Sequence, residues 1–196
     1  MPMQADVGSA VNNPLAMASP PKPPTRLFRI VHIDNLASLI EAGGIAAPNR
    51  PAPTSTRFVA IHNVSVQDRR AWCQVPCGPG GVVHDYVAFY FTSRSPMLYA
   101  NHKGPTGDNA DGQEPILCLV AHAEPLATSG ARFVFTDGHA IMRLSSFYDD
   151  LSDLDSVRWE VIQAGTGTTT LMAVGSGRPS SSSTTSFPGN RSRASQ

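Results

Sequence analysis

Three features of the chain predict an α+β fold. Short strand-like runs stand around Leu27, Ile30 and Val31, at Tyr86 to Phe91, at Ile116 to Ala121 and at Arg132 to Phe135. Segments with helical spacing and capping residues lie between them, at Leu36 to Ala42 and Val64 to Trp72. The two kinds of segment do not alternate as regular βαβ units, so the mixture reads as α+β. A length of 196 residues allows one domain with a substantial core.

The elements follow in order. Residues 1–24, rich in Pro, Ala and Asn, have neither a basic start nor a continuous apolar run. They read as a disordered arm and not as a signal peptide. Folding is expected from Thr25, with a buried strand through Leu27, Ile30 and Val31. Asp34 or Asn35 supplies an N-cap for the helix Leu36 to Ala42, which Gly43 and Gly44 end. Asn49 to Thr56 is a Pro-rich loop. The segment VQDRRAW inside Val64 to Trp72 is helical, and the CGPGG run from Cys77 to Gly81 breaks it.

YVAFYF, Tyr86 to Phe91, is the strongest strand signal, dense in aromatic and β-branched side chains. Ser95-Pro96 opens a short turn or helix carrying Met97, Leu98 and Tyr99. ILCLVA and RFVF supply two further strands. Phe147, Leu151, Leu154 and Ile162 suggest an interrupted helix over 147–163.

Composition removes several function classes. The net charge is +0, so a nucleic-acid partner would have to be held by a local basic patch. No apolar run is long enough for a membrane-spanning helix. Cys73, Cys77 and Cys118 are odd in number and indicate a reducing, cytoplasmic compartment. Cys73, Cys77 and His84 do not have zinc-site spacing and lack a fourth ligand, so no metal is expected. P-loop, G-x-S-x-G, H-E-x-x-H and G-x-G-x-x-G motifs do not occur.

The remaining polar residues gather at element ends. His32, Asp34 and Asn35 mark a strand-to-helix junction whose free N–H groups suit helix capping or an anion such as a pyrophosphate. Ser38 lies one helical turn beyond Asp34. Arg69 and Arg70 follow Asp68 on a helix. Arg94 directly follows the strongest strand, with Tyr99 nearby, a pairing that suits a phosphate and a stacked base.

Taken in order, RIVHIDNL, VQDRR, GGVVHDYVAFYFTSRSPMLY, GQEPILCLV, FVFTDGHA and VRWEVIQA closely resemble the DarT-type DNA ADP-ribosyltransferases. The resemblance covers Thr25 to Ala164, and its most specific block is Gly80 to Tyr99. It implies an ADP-ribosyltransferase-like split β-sheet core with flanking helices. The implied activity cleaves NAD and attaches ADP-ribose to a base, usually thymine, in single-stranded DNA. The implied context is a toxin–antitoxin pair whose macrodomain antitoxin, DarG-like, reverses the modification.

Carried over by position, Arg29, Ile30 and Val31 would hold the nicotinamide end of NAD through the backbone. His32, Asp34 and Ser38 would surround the NAD groove, and Arg70 matches the family's functional arginine. The family account gives that arginine a part in deprotonating thymine. A guanidinium resists acting as a base, so pyrophosphate binding and stabilisation of a developing thymine anion fit its chemistry better. Arg94 and Tyr99 are the expected DNA contacts. Two other readings stay open: a non-catalytic NAD- or DNA-binding remnant, and a transferase with a different acceptor.

The reaction also demands a carboxylate beside the ribose that loses nicotinamide. In the family it lies in a strand of the form QAEFLV. Glu160 matches a different glutamate, and QAEFLV is not found in this chain. This copy is therefore expected to be inactive.

The tail, Gly165 to Gln196, explains the loss. It contains no Asp, Glu or Lys and one aromatic, Phe187. Read one base out of register, Met172 and Ala173 force a glycine codon. Arg178 to Gly189 then admit QAEFLVHDFFPW, with the Glu codon straddling Pro179 and Ser180. The serine run turns apolar because a free base followed by TC encodes only Phe, Leu, Ile or Val. The tail is thus expected to be an out-of-frame product, disordered, leaving a sheet edge unpartnered.

Overall fold

A computed structural model of the chain describes residues 19–50 and 58–164, together with the backbone of 171–175. Most of the N-terminal arm, most of the Pro-rich loop, and the tail at 165–170 and 176–196 lie outside the described residues. The stretch from Arg178 to Gly189 lies there too.

Strand β1 (Arg26–His32) leads through a 3₁₀ turn at Ile33–Asn35 into helix α1 (Leu36–Glu41). Helix α2 (Val64–Trp72) starts at Asn63, whose side chain accepts from the Ser65 amide. Strand β2 (Tyr86–Tyr90) follows, then helix α3 (Pro96–Lys103), with Pro96 at its first position and the Ser95 hydroxyl accepting from Leu98 N. Strand β3 (Ile116–His122) runs directly into helix α4 (Ala123–Thr128), and strand β4 (Arg132–Thr136) comes next.

Sequence periodicity over 147–163 misleads. Instead of an interrupted helix, the chain forms a two-residue strand β5 (Phe147–Tyr148), a 3₁₀ segment at Leu151–Ser156 and a short helix α5 (Trp159–Gln163). Phe147 and Tyr148 pair with Thr136 and Phe135, so cross-strand pairing claims them. The Asp150 side chain then accepts from Ser152 N and starts a separate turn.

Strand β6 (Leu171–Gly175) lies in the tail and differs from the expectation of disorder for 165–196. It pairs antiparallel with β2 from Tyr86↔Gly175 to Tyr90↔Leu171, and with β4 from Arg132↔Gly175 to Phe135↔Met172. Insertion of this strand pairs the backbone of both neighbours. The inner edges of β2 and β4 are therefore covered over this stretch.

The six described strands stand in the order β3-β1-β2-β6-β4-β5, and each pairing is antiparallel. Strand alternation separates two core layers. Val87 and Phe89 of β2 pack with Leu27, Ala123, Phe135 and Trp159, and Phe91 continues this layer edge-on to Trp159 at 5.2 Å. Tyr86, Ala88 and Tyr90 face the opposite way, with Val75, Val83 and Val134. Strand β2 is buried throughout, which accounts for its unbroken aromatic and apolar sequence.

The sheet is split between β1 and β2. Strand β1 pairs with β3 along its whole length, from Arg26↔His122 to His32↔Ile116, yet meets β2 at the single bridge Phe28↔Tyr90. Ahead of β2, the GGVVHDY block is a folded bracket. Asp85 accepts from Val82 N at 2.8 Å and from Asn49 Nδ2 at 2.9 Å, and the Tyr86 hydroxyl donates to Gly80 O at 2.6 Å. Gly81 has φ +81°, and a Cβ there would meet Asp85 Oδ2 at 2.5 Å, so only glycine fits.

Candidate active site

A cavity of about 430 Å³ opens where β1 and β2 part. Arg29, Ile30 and Val31 line it from β1, Ser38 from α1, Gln67 and Arg70 from α2, and Tyr86, Ala88 and Tyr90 from β2. Residues of the 44–48 and 58–62 segments complete the wall. Among the described lining residues none is Asp or Glu.

Two arginines dominate the electrostatics. Arg29 Nη1 donates to Ala88 O at 2.8 Å across the split, and burial pushes its guanidinium down to about 10. Arg70 is 8% exposed and hydrogen-bonds the Tyr90 side chain, and burial lowers its pKa too. The Nε atoms of both are buried without a hydrogen-bond partner. A buried, unsatisfied guanidinium costs free energy that an anion with several acceptor oxygens would recover. The pair therefore fits a pyrophosphate, and the apolar remainder of the wall fits flat rings.

Three histidines surround Arg70. His62 lines the cavity, His84 lies 2.9 Å from Gln67 Oε1 through Nε2, and His139 stands in the loop after β4. Burial, followed by the Arg70 charge, lowers the pKa of all three. The downward direction favours the neutral imidazoles, which add no charge to the positive field of Arg70.

The expected site residues divide into three groups. Arg29, Ile30, Val31, Ser38 and Arg70 are gathered around the cavity. His32 and Asp34 do not line it: the His32 ring accepts from Asp34 N at 3.2 Å through Nδ1, and the Asp34 carboxylate is exposed. Their geometry is that of a cap on the 3₁₀ turn. Arg94 and Tyr99 lie on the surface. Tyr99 is 62% exposed, with Lys103 Nζ 5.3 Å from its ring centroid.

Sequence reasoning missed Tyr90, His62 and Gln67, and gave Asn35 only as a residue of the strand-to-helix junction. Buried Asn35 lines the cavity and clamps the facing segment, donating to Val59 O at 2.9 Å and accepting from Val59 N at 2.8 Å. Tyr90 reads in sequence as one more strand aromatic. Asn101 of α3, fully buried, donates to Ile61 O at 2.9 Å and so ties α3 to the cavity wall. Among the described residues no group of three His, Cys, Asp or Glu side chains is arranged to hold a metal ion. No described helix is long and apolar enough to cross a membrane.

The fold is shared with known proteins. The family model for the ssDNA thymidine ADP-ribosyltransferase DarT matches residues 28–182. A DNA ADP-ribosyl transferase of Thermus sp. (strain 2.9) is 44% identical over 141 residues, which are 72% of this chain and 66% of the relative. Thermus sp. 2.9 DarT in complex with ADP-ribosylated ssDNA superposes with a TM-score of 0.73 at 38% identity, covering 81% of this chain and 78% of that one. The same protein in complex with NAD+ gives 0.67 at 36%, covering 80% and 77%. The chain belongs to the DarT family. It spans just under two thirds of the length of the Thermus relative.

Proposed function

We propose that the groove binds NAD and that the fold serves transfer of ADP-ribose to a base, thymine in the first place, of single-stranded DNA. The observation that carries this reading is the pair of buried arginines with unpartnered Nε atoms in a cavity without a lining carboxylate. Arg29 and Arg70 hold the pyrophosphate, and the β1 backbone at Ile30 and Val31 meets the nicotinamide end. NAD supplies the transferable ADP-ribose and its leaving group. The Arg70 charge favours the anionic form of a base brought beside it. Arg94 and Tyr99 guide the strand, the one toward phosphate and the other by stacking.

The same reading makes this copy impaired in turnover. Glu160 is the last acidic residue of the sequence, and it belongs to α5, outside the cavity lining. We attribute the deficit to a one-base frame change near codon 164. As a DarT toxin the protein would act in the cytoplasm, where NAD, DNA and reduced Cys73, Cys77 and Cys118 coexist, and a macrodomain antitoxin would be its counterpart.

The deciding experiment combines calorimetric NAD titration with mass spectrometry of a thymine-containing oligonucleotide incubated with NAD. NAD binding lost in Arg70→Ala, with a mass gain absent until the frame is restored, supports the whole reading. Failure to bind NAD overturns it. Turnover by the unaltered chain, abolished by Arg70→Ala, would retain the reaction and remove the claim of impairment.

A further inference from the structure

Trp72 is 82% exposed at the end of α2, two residues after the buried Arg70. A tryptophan left this far in water forfeits a large burial gain and calls for an occupant. Beside it the loop after β4 is held against α2, with Cys73 Sγ donating to Ala140 O at 3.1 Å. That loop is itself tied down, by Ser145 Oγ to His139 O at 2.8 Å and by Met142 N to His139 O at 2.8 Å. It presents Met142, 61% exposed, and Leu144, 95% exposed, with the Arg143 guanidinium between them in sequence.

Arg69, exposed, precedes Trp72 by one helical turn and shares its side of α2. The acidic neighbour Asp68 is felt at His84, on the flank toward Gln67. His139 links this surface to the groove, since it lies within electrostatic reach of both Arg69 and Arg70.

We propose that Trp72, with Arg69 one helical turn before it and Arg143 on the adjoining loop, is a stacking platform for an unpaired base neighbouring the modified one in a single-stranded nucleic acid. It rests on the functional reading above and adds a second station to the strand's path, on the α2 side of Arg70. An aromatic face accepts any base, and two guanidiniums take the flanking phosphates, whereas a duplex keeps its base faces stacked and offers none. Met142 and Leu144, exposed on the same adjoining loop, add apolar side chains to this side of the molecule.

The chain has two tryptophans, and the other, Trp159, is 2% exposed with Nε1 donating to Leu154 O at 2.7 Å. Both indoles emit, but Trp159 is shielded, so quenching of the long-wavelength emission of the full chain by an added oligonucleotide reports on Trp72. Titration with an oligothymidylate is expected to quench it, and the matching duplex is not. Trp72→Ala should weaken oligonucleotide affinity about 5- to 150-fold, the range for one stacked base, while Trp72→Phe retains most of it. NAD affinity should be unchanged in both variants.

Oligonucleotide binding without quenching overturns the proposal and leaves the functional reading standing. So does equal affinity in wild type and Trp72→Ala, or equal loss in Ala and Phe variants. Absence of any oligonucleotide binding by the wild type overturns both. Self-association of the wild type in sedimentation that Trp72→Ala abolishes, with oligonucleotide affinity unaltered, assigns the surface to a protein contact and likewise overturns the proposal.

Discussion

Arg29 Nη1 donates to the backbone carbonyl of Ala88 at 2.8 Å, spanning the gap where β1 and β2 cease to pair. One guanidinium thus satisfies a carbonyl that a continuous ladder would have used, and it keeps the split open as a groove. Its Nε is left over.

That arrangement favours binding over stability. Arg29→Met removes a desolvated charge together with one hydrogen bond, two effects of opposite sign. We expect thermal stability within about 1 kcal/mol of wild type and NAD affinity lowered at least ~10-fold, since a charge-assisted contact is worth about 1.5–3 kcal/mol. Thermal denaturation and calorimetry on the same variant measure the two effects.

Arg70 sets the protonation of its surroundings. Arg70→Met should raise the pKa values of His62, His84 and His139 together, because its charge acts on all three after burial does. The sign for stability follows. Each histidine has a folded pKa below the ordinary 6.5, so the unfolded chain takes up protons first as pH falls. Stability is full above about 6.5, the unfolded value. It declines as pH falls from there through the lower folded values. NMR titration of the imidazole signals checks the pKa change, and denaturant titrations at several pH values check the slope.

Asn101 is the hub of a buried amide network. It donates to Ile61 O and to Met97 O at 2.8 Å, and Asn109 Nδ2 donates to its Oδ1 at 2.7 Å. Asn101→Ala leaves Ile61 O without this partner and removes one of two bonds of the Asn109 amide, whose other goes to Gly112 O at 2.6 Å, at a cost of about 1–3 kcal/mol. Because Ile61 belongs to the cavity wall, NAD affinity should fall as well. A retained melting temperature would contradict this account.

Glu124 closes the outer end of the sheet. Its carboxylate accepts from Thr25 Oγ1 and Thr25 N, both at 2.7 Å, joining the entry to β1 with the start of α4. Desolvation raises its pKa, and the Thr25 bonds outweigh that and lower it. The stabilisation is complete above the ordinary value of 4.5 and is lost as pH falls through the lower folded value. Glu124→Gln should cost about 1 kcal/mol at neutral pH, modest because the group is partly solvated. The difference from wild type should shrink as pH falls below the ordinary value of 4.5, as thermal melts across pH will show.

Much of the fold was legible. Strands β1 to β4 and helices α1 to α3 follow from apolar runs, caps and glycine stops, all of them local. The missed elements are nonlocal in origin. Helix α4 begins without a gap after β3, through Ala123-Glu124-Pro125, where no turn residue announces it. Strands β5 and β6 exist through pairing with β4 and β2, partners that the chain finds only when folded.

For the site, the ordered blocks from RIVHIDNL to VRWEVIQA identified the family and singled out Arg29 and Arg70. Apart from that resemblance, helical spacing alone could not assign the neighbours Arg69 and Arg70 to surface and cavity. Successive helical residues point about 100° apart, so one of the two must turn inward, and which one depends on what packs against α2. The same limit hid Tyr90, which reads as core until the split places it beside two guanidiniums.

The sequence by itself determined the local elements, the family and the absence of any acidic residue after Glu160. Only the tertiary structure decided that β1 and β2 separate, that Leu171–Gly175 enters the sheet, and that His32 and Asp34 cap a turn outside the cavity. Propensity and capping act over a few residues. Strand pairing and burial are settled between distant parts of the chain, where the cost of an unpaired backbone or an unsatisfied guanidinium is felt.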